Sequence, residues 1–317
     1  MSNDSRRPAV TLIVVSYNHE RFLPDLLASI DAQVRAPDRV LLYDDRSSDD
    51  SAALLTRWAS ETSLPVEVRI NPDNIGLTPT LNRALSAVDT PFYAYISGDD
   101  LMEPTRIDAQ LSALAASEHA FSYSDAVVVN EDGTVVGHSF FEMFLGVGVE
   151  PSDTFEALLR EGNWIPACSV MLRTSSVREV GGYDEDLFFE DYDLWLRLAR
   201  VGTFTHVTSP QVRFRRVGSS LGSTKFNDAD DDWQWAKIRI RAKHLGHDKD
   251  ADAVIVDKIR PWLVTLAARG HPRTEIAPLL RSSFARSPGA VTLAWAALAS
   301  VPAPGLLRRA AMWWRGR

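Results

Sequence analysis

Hydrophobic positions in the amino-terminal half alternate between short apolar runs and helical spacing. The strand candidates are residues 10–17, 40–43, 66–70 and 92–96. The first is a continuous apolar run, which is typical of a strand buried on both faces of a parallel sheet. Between the runs, apolar side chains recur every three or four residues, which indicates amphipathic helices. Strands that alternate with helices over short connections predict a doubly wound, mainly parallel α/β sheet.

After residue 100 the periodic pattern loosens. Here the pattern predicts a hairpin at 120–137, helices at 153–161 and 191–201, and a strand at 167–173. From residue 233 onward only helical patterns occur. We therefore predict two domains, an α/β domain over residues 1–228 and a helical region over 229–317.

Composition and charge narrow the class of protein. Of the 317 residues 45% are apolar, enough for a substantial core, and the net charge of −8 argues against nucleic acid as the main partner. Six arginines and no acidic residue follow Glu275, and the last residues are rich in Trp and Arg. Such a tail suits an anionic membrane surface. The alternative is that its tryptophans pack into the helical region.

Several features predict a cytoplasmic location. The single cysteine, Cys168, excludes an internal disulfide and fits a reducing compartment. Residues 1–8 are polar and are not typical of a signal peptide. The apolar run 291–301 has only about half of the ~20 residues that a membrane span needs.

Two acidic pairs follow predicted strands. Asp44 and Asp45 end the second strand, and Asp99 and Asp100 end the fourth. In an open α/β sheet, ligands bind at the carboxyl ends of the strands. Adjacent carboxylates repel each other unless a cation or a proton intervenes, so a divalent metal that holds a diphosphate is one interpretation. The alternatives are helix capping by the second pair, before a helix at 104–116, and an ordinary strand-to-helix turn for the first.

The same edge carries Tyr17 and Asn18, which end the first strand. A nucleotide fits this arrangement, because a tyrosine ring can stack on a base and a carboxylate can accept from a base N–H or a ribose hydroxyl. Neither G-x-G-x-x-G nor G-x-x-x-x-G-K occurs, so phosphate binding would depend on metal and side chains. The alternative for Tyr17 is a place in the core.

Five short motifs occur in an order that resembles family 2 glycosyltransferases over residues 8–220. They are Val-Val-Ser-Tyr-Asn (14–18), Tyr-Asp-Asp-Arg-Ser-Ser-Asp (43–49), Asn-Ile-Gly (74–76) with Asn82, Ser-Gly-Asp-Asp (97–100) and Glu-Asp-Tyr-Asp-Leu-Trp-Leu-Arg (190–197). The resemblance implies a GT-A fold, a mixed and mainly parallel sheet. It also implies transfer of a sugar from a nucleotide sugar with inversion at the anomeric carbon.

The resemblance also implies roles for single residues. The donor nucleotide sugar would be bound by Tyr17, Asn18, Asp44, Asp45, Asn82 and Asp99, and the divalent metal, Mn²⁺ or Mg²⁺, by Asp99 and Asp100. Asp191 would be the general base, with Glu190 beside it in the catalytic pair. The donor half would cover about residues 8–100 and the acceptor half about 101–228.

Three positions depart from the family pattern. Arg46 replaces a glycine, Ser97 replaces the first Asp of the metal motif, and Val217, after Arg215 and Arg216, stands where the family has a histidine. Some alternatives stay open at this point. Asp191 could only cap its helix, Asn82 could lie on a helix surface, and Trp164 could form either an acceptor wall or core.

We therefore predict an inverting glycosyltransferase of polysaccharide and cell-envelope biosynthesis. We expect it to move one sugar from a UDP-linked donor to a surface-polysaccharide or lipid-linked acceptor, on the inner face of the plasma membrane. The lack of spans argues against a processive synthase, and the absent glycine-rich opening against a nucleotidyltransferase. The second hypothesis, motivated by Ser97 and Val217, is a catalytically weakened nucleotide- or glycan-binding module of the same fold.

Overall fold

The computed structural model of the protein describes residues 8–218, 220, 225–227 and 229–286. The chain separates into two units, Met1–Ser220 and Leu221–Arg317. The boundary predicted near residue 228 falls on a position outside the described residues and stays a prediction.

One sheet organises the described part of the first unit. Its strands are β1 (Val10–Ser16), β2 (Arg39–Asp44), β3 (Val66–Ile70), β4 (Phe92–Ser97), β5 (Leu101–Met102), β6 (Phe121–Val129), β7 (Val135–Gly137), β8 (Met171–Arg173) and β9 (Phe204–Arg215). They lie in the order β3-β2-β1-β4-β8-β6-β9-β5, with β7 paired to β6. β1 to β4 are mutually parallel, whereas β8 is antiparallel to both β4 and β6. The mixed, mainly parallel sheet confirms the predicted fold class.

Helices connect these strands. They are α1 (Leu23–Asp31), α2 (Ser51–Glu61), α3 (Leu77–Ala87), α4 (Arg106–Ala115), α5 (Phe141–Leu145), α6 (Phe155–Glu161), α7 (Thr174–Glu179) and α8 (Glu190–Val201). The core forms where α1, α2 and α4 cover the central strands. Every residue of β1 is buried, which explains its continuous apolar run.

The centre of the parallel half sets the position of the candidate site. β1 lies between β2 and β4, and its last residues pair in register with the ends of both neighbours, Ser16 with Asp44 and Val15 with Ser97. The three strands therefore end together. The segments that follow them, each carrying candidate residues, leave the sheet side by side.

The strand predicted at residues 167–173 was wrong in its first half. The structure has a short 3-10 helix at Ala167–Ser169, and only β8 is extended. Buried side chains take the backbone groups here: Gln110 Nε2 donates to the Ser169 carbonyl at 2.5 Å, and Arg106 donates to the Val170 carbonyl at 3.2 Å. Because these side chains donate to the two carbonyls, no neighbouring strand is needed to supply their hydrogen bonds.

The second unit is helical in its described part, as predicted. Its helices are α9 (Asp231–Ala242), α10 (Lys249–Ala268) and α11 (Arg273–Arg286). Along α10, Ile255, Ile259 and Leu263 are fully buried at a spacing of one helical turn. Among the described residues no helix combines the length and hydropathy that crossing a membrane requires. The basic Trp-rich tail lies outside the described residues.

Candidate active site

The acidic pairs that follow β2 and β4 meet at the end of β1. The Asp45 N–H donates to the Ser16 carbonyl and the Gly98 N–H to the Val15 carbonyl, both at 2.9 Å. Each pair thus begins on one side of the same strand end. The shared edge expected for Asp45 and Asp99 is present.

Asp44 and Asp45 are both buried and bond to protein groups. Asp44 accepts from the Ser47 N–H at 2.9 Å and the Ser47 hydroxyl at 2.5 Å, so it shapes its own turn, as the turn alternative proposed. Asp45 accepts from Asn71 Nδ2 and from the Ile75 and Gly76 N–H groups at 2.8–3.0 Å. These donors organise the entry into α3 and occupy most of the lone pairs of the carboxylate. A direct contact of either side chain with a donor nucleotide stays a prediction.

The segment after β1 is locked to the segment after β2. The Asn18 N–H donates to Ser47 Oγ at 2.9 Å, and Asn18 Oδ1 accepts from the Ser48 N–H at 2.8 Å. Beside this lock the side chain of Tyr17 is 46% exposed, which excludes the core alternative. The Tyr17 ring is therefore available to a ligand at the edge of the sheet.

Arg46 adopts a left-handed conformation, with φ of 65°. A side chain with a Cβ is strained in this region by about 1–2 kcal/mol, whereas glycine is not. The departure from the family glycine at this position therefore kept the backbone turn and added strain.

Asp99 and Asp100 face different surroundings. Asp100 Oδ1 accepts from the Arg215 N–H at 2.8 Å, and the buried Cys168 thiol donates to the same carboxylate. Burial, and then the charge of Asp99, raises the pKa of Asp100 well above its usual range. The Asp99 carboxylate accepts no hydrogen bond from the described residues, and Asp99 is 9% exposed. Helix capping does not explain either group, because the N-cap of α4 is Thr105.

Arg215, near the end of β9, holds the Asp99–Asp100 segment. The guanidinium is 2% exposed, its Nε donates to the Asp99 carbonyl at 2.9 Å, and its Nη1 donates to the Glu131 carbonyl at 2.9 Å. Nη2 pairs with Asp25 at 3.1 Å, and the group lies over the Phe22 ring. Arg215 therefore fixes the backbone from which the Asp99 side chain projects.

The second acidic cluster opens α8. Glu190 and Asp191 lie in its first turn, where the helix dipole favours negative charge, and the N-cap is Phe189 rather than Asp191. Asp191 accepts from Asn163 Nδ2 at 3.0 Å and from the Tyr192 N–H at 2.6 Å. Burial raises the pKa of Asp191 to about 6, against the lowering effect of these two donors. Burial, and then the charge of Asp191, raises the pKa of Glu190 well above its usual range. A carboxyl with a pKa of about 6 is ionised at neutral pH and still basic enough to take up a proton, which suits a proton acceptor.

Tyr95 connects the two acidic clusters. It lies on β4 and is buried, and its pKa is raised well above the usual value by burial, then by the charges of Glu190, Asp99 and Asp100. Carboxylates of both clusters therefore act electrostatically on one tyrosine side chain. Asp99 and Glu190, far apart in the chain, therefore both lie near the Tyr95 ring.

Two predicted contacts have another arrangement in the structure. Asn82 on α3 donates to the Tyr183 carbonyl at 2.9 Å and to Glu185 at 2.8 Å, and its Oδ1 accepts from the Tyr183 N–H at 2.9 Å. It thus holds the loop that leads to α8, and its role in donor binding stays a prediction. Trp164 is 1% exposed and donates to the Tyr123 hydroxyl, so of its two alternatives the structure favours core packing.

The chemistry of a metal site fits Asp99. No three His, Cys, Asp or Glu side chains within the described ranges form a metal-binding group by themselves. Mg²⁺ in nucleotide enzymes is held by one or two carboxylates, with substrate phosphates and water as further ligands. A carboxylate with no hydrogen-bond donor at the edge of the sheet meets that need. Asp100, turned toward Arg215 and Cys168, meets it less well.

Sequence reasoning missed three side chains of this region. Asn163 orients Asp191, Arg215 holds the segment of Asp99, and His19 lies beside Asp99, with Nε2 at 4.0 Å from Oδ2. His19 directly follows Tyr17 and Asn18, so its position in the first motif was the one available signal. Arg215 was visible only as part of a motif, and nothing in the sequence pointed to Asn163.

Comparison with known proteins agrees with this geometry. The model of the family described as Glycosyl transferase family 2 matches residues 11–175. The amylovoran biosynthesis glycosyltransferase AmsE of Erwinia amylovora is 26% identical over 243 residues, 74% of this chain and 87% of AmsE. The UDP-Glc:alpha-D-GlcNAc-diphosphoundecaprenol beta-1,3-glucosyltransferase WfgD of Escherichia coli is 22% identical over 227 residues, 71% of this chain and 83% of WfgD.

Solved structures share the fold. TarS residues 1–349 of S. aureus, in complex with UDP-GlcNAc, superpose with a TM-score of 0.65 at 15% identity, over 86% of this chain and 79% of TarS. The mannosyltransferase PcManGT of Pyrobaculum calidifontis, in complex with GDP-Man and Mn²⁺, gives a TM-score of 0.55 at 18% identity, over 98% of this chain and 88% of that one. The likeness confirms a GT-A fold.

Proposed function

This chain belongs to glycosyl transferase family 2 and is a glycosyltransferase, and on that premise we propose an inverting, metal-assisted transfer of one sugar. The donor is a nucleotide sugar, UDP-linked, and the acceptor is a hydroxyl of a surface-polysaccharide or lipid-linked glycan. The observation that carries the proposal is that the charges of Glu190, Asp99 and Asp100 all act on the buried Tyr95 side chain, which brings the two acidic clusters to one region. An in-line displacement needs one such cluster at the departing diphosphate and the other at the attacking hydroxyl.

The donor side is the edge of the sheet at β1. We assign the exposed Tyr17 ring to the base and Asp99 to the diphosphate through the metal. A divalent metal bound there would stabilise the charge that builds up on the departing diphosphate. Arg215 contributes by fixing the backbone of Asp99.

The acceptor side is the start of α8. As the acceptor oxygen attacks the anomeric carbon, the bond from that carbon to the diphosphate breaks, and the hydroxyl proton passes to Asp191. Asp191 can accept it because its pKa of about 6 leaves it ionised at neutral pH. Asn163 holds the carboxylate in one orientation through its amide. Attack opposite the leaving group inverts the anomeric configuration.

The chemical class of donor and acceptor draws on relatives. WfgD is described as using UDP-Glc and a diphosphoundecaprenol acceptor, TarS was solved with UDP-GlcNAc, and AmsE belongs to amylovoran biosynthesis. We extend to this chain a UDP-sugar and a polysaccharide or lipid-linked acceptor at the cytoplasmic membrane face. Contact with the membrane through residues 305–317 is part of the proposal. Deleting them should release the protein from anionic liposomes, and unchanged binding would contradict that part.

The test is release of nucleoside diphosphate from a panel of UDP-, GDP- and dTDP-sugars with Mn²⁺ or Mg²⁺, with water as the default acceptor. We expect slow release from one UDP-sugar in the wild type, and loss of that release when the metal is chelated. Binding of a nucleotide sugar with no turnover, even with lipid-linked acceptors, would favour the weakened binding module that Ser97 and Val217 motivate. Release that does not depend on metal would contradict metal assistance.

A further inference from the structure

We propose that His19 is the second protein ligand of the divalent metal, binding through Nε2 next to the carboxylate of Asp99. The proposal rests on the metal-assisted transfer proposed above and adds a ligand from a different segment, the loop between β1 and α1.

The His19 ring and the Asp99 carboxylate face each other without a hydrogen bond. Nε2 lies 4.0 Å from Oδ2, beyond hydrogen-bonding distance. Within the described part of the chain neither group takes part in a side-chain hydrogen bond elsewhere, and Nδ1 is buried with no partner. This arrangement leaves the imidazole and the carboxylate available to a common ligand.

The gap also matches the size of a metal site. Two ligands at about 2.1 Å from one Mg²⁺ lie about 3.0 Å apart when adjacent and about 4.2 Å apart when opposite. The observed 4.0 Å is near the value for opposite ligands, so a small shift of either side chain would admit a metal between the two groups. Imidazole nitrogen and carboxylate oxygen are both ligands of divalent first-row metals such as Mn²⁺.

The surrounding backbone fixes the ring in this position. The His19 N–H donates to Ser51 Oγ at 2.9 Å, and the His19 carbonyl accepts from the Phe22 and Leu23 N–H groups at the start of α1. Gly98 leaves room for the ring, because a Cβ at that position would lie 2.5 Å from His19 Nδ1. The residue next to Asp99 is therefore small where the imidazole packs against it.

A histidine ligand from this loop would also replace the family histidine that is missing at Val217. Val217 is buried and apolar and offers no metal ligand. His19 brings an imidazole to the same Asp99 carboxylate from the opposite end of the domain sequence. We infer that the metal set of this chain is Asp99, His19, the diphosphate and water.

The experiment measures Mn²⁺ binding in the presence of UDP by electron paramagnetic resonance. The intensity of the signal from unbound Mn²⁺ gives the affinity, and electron spin echo envelope modulation detects a ¹⁴N nucleus bound directly to Mn²⁺. The variant is His19→Gln. The matched control is His206→Gln, because His206 also faces a carboxylate, Asp153 at 3.0 Å, and its side chain is 23% exposed against 20% for His19.

We expect ¹⁴N modulation in the wild type and in His206→Gln, and its loss in His19→Gln together with at least about a tenfold weaker Mn²⁺ affinity. Gly98→Ala retains the imidazole but displaces the ring, so it should weaken the ¹⁴N modulation as well. The proposal would be overturned if the wild type showed no ¹⁴N modulation, or if the modulation persisted in His19→Gln. Either result would leave the proposed sugar transfer intact. Failure of the wild type to bind Mn²⁺ with UDP at all would overturn metal assistance with it, so the two failures are distinguishable.

Discussion

Removing the side-chain amide of Asn163 should shift the acidic limb of the pH–rate profile to higher pH. Asn163 Nδ2 donates to Asp191 Oδ2 at 3.0 Å, and the second donor is the Tyr192 N–H at 2.6 Å. The base works only when ionised, and the amide stabilises that form. The variant Asn163→Ala deletes the donor and leaves the rest of the α8 start in place.

The magnitude follows from the hydrogen bond. A hydrogen bond to a charged group contributes about 1.5–3 kcal/mol, and one pKa unit corresponds to about 1.4 kcal/mol, so full loss would raise the pKa of Asp191 by about 1–2 units. Water entering the space recovers part of this, and we expect a rise from about 6 to about 7. At pH 6 the ionised fraction would then fall from about a half to about a tenth, a fivefold loss of rate, and at pH 9 the loss would vanish. Because Asp191 and the adjacent Glu190 interact, the limb gives an apparent pKa of the pair, and the shift between the two profiles gives the effect of the Asn163 amide.

The assay is kcat/KM for nucleoside diphosphate release from the donor identified in the panel, measured from pH 5 to pH 9 for wild type, Asn163→Ala and Asn130→Ala. Asn130 is the control because its amide oxygen accepts from the Thr134 N–H in the β6–β7 turn and not from a group of the acidic clusters. An Asn163→Ala profile that is lowered equally at every pH would indicate only a structural role. An unshifted limb would remove Asp191 as the base that Asn163 orients.

Four further predictions concern single substitutions. Asp191→Asn should abolish transfer and leave the Kd for the donor nearly unchanged by calorimetry, since the base acts on the acceptor; equal transfer rates would remove Asp191 from the mechanism. Asp99→Asn should weaken Mn²⁺-dependent UDP binding itself by at least about tenfold, and an unchanged Kd would contradict its role. Arg46→Gly should raise the melting temperature by about 1–3 °C because it relieves the strain at φ of 65°, whereas Arg46→Ala, which retains a Cβ, should not. Arg215→Met should lower the free energy of unfolding by about 2–4 kcal/mol, because it leaves buried carbonyls without donors, and should weaken Mn²⁺ binding; the exposed Arg213→Met should do neither.

The parallel half of the fold was predictable because a strand that is buried on both faces consists of consecutive apolar residues. β1 and β4 are continuous apolar runs and were predicted nearly to the residue. β9 was not predicted, because it contains polar residues and Pro210 and is stabilised by pairing with β6, as in the pair of Phe121 with Phe204. Such long-range pairing leaves no local pattern.

The same contrast holds at the site. Asp99 and Asp191 could be predicted as site residues from the sequence because each lies in a motif at a strand or helix end. The groups that hold them act across the chain: Arg215 is 116 residues from Asp99 and Asn163 is 28 residues from Asp191. The hydrogen bonds of Asp45 could not be predicted either. They show that this carboxylate stabilises the backbone before α3, a role that the motif did not indicate.

The most direct test of the proposed mechanism is a crystal structure of the Asp191→Asn variant with a UDP-sugar and Mn²⁺. The proposed mechanism predicts the nucleobase at Tyr17, the metal in direct coordination with Asp99, and residue 191 on the face of the sugar opposite the diphosphate. A nucleotide bound elsewhere, or residue 191 on the same face as the diphosphate, would contradict it.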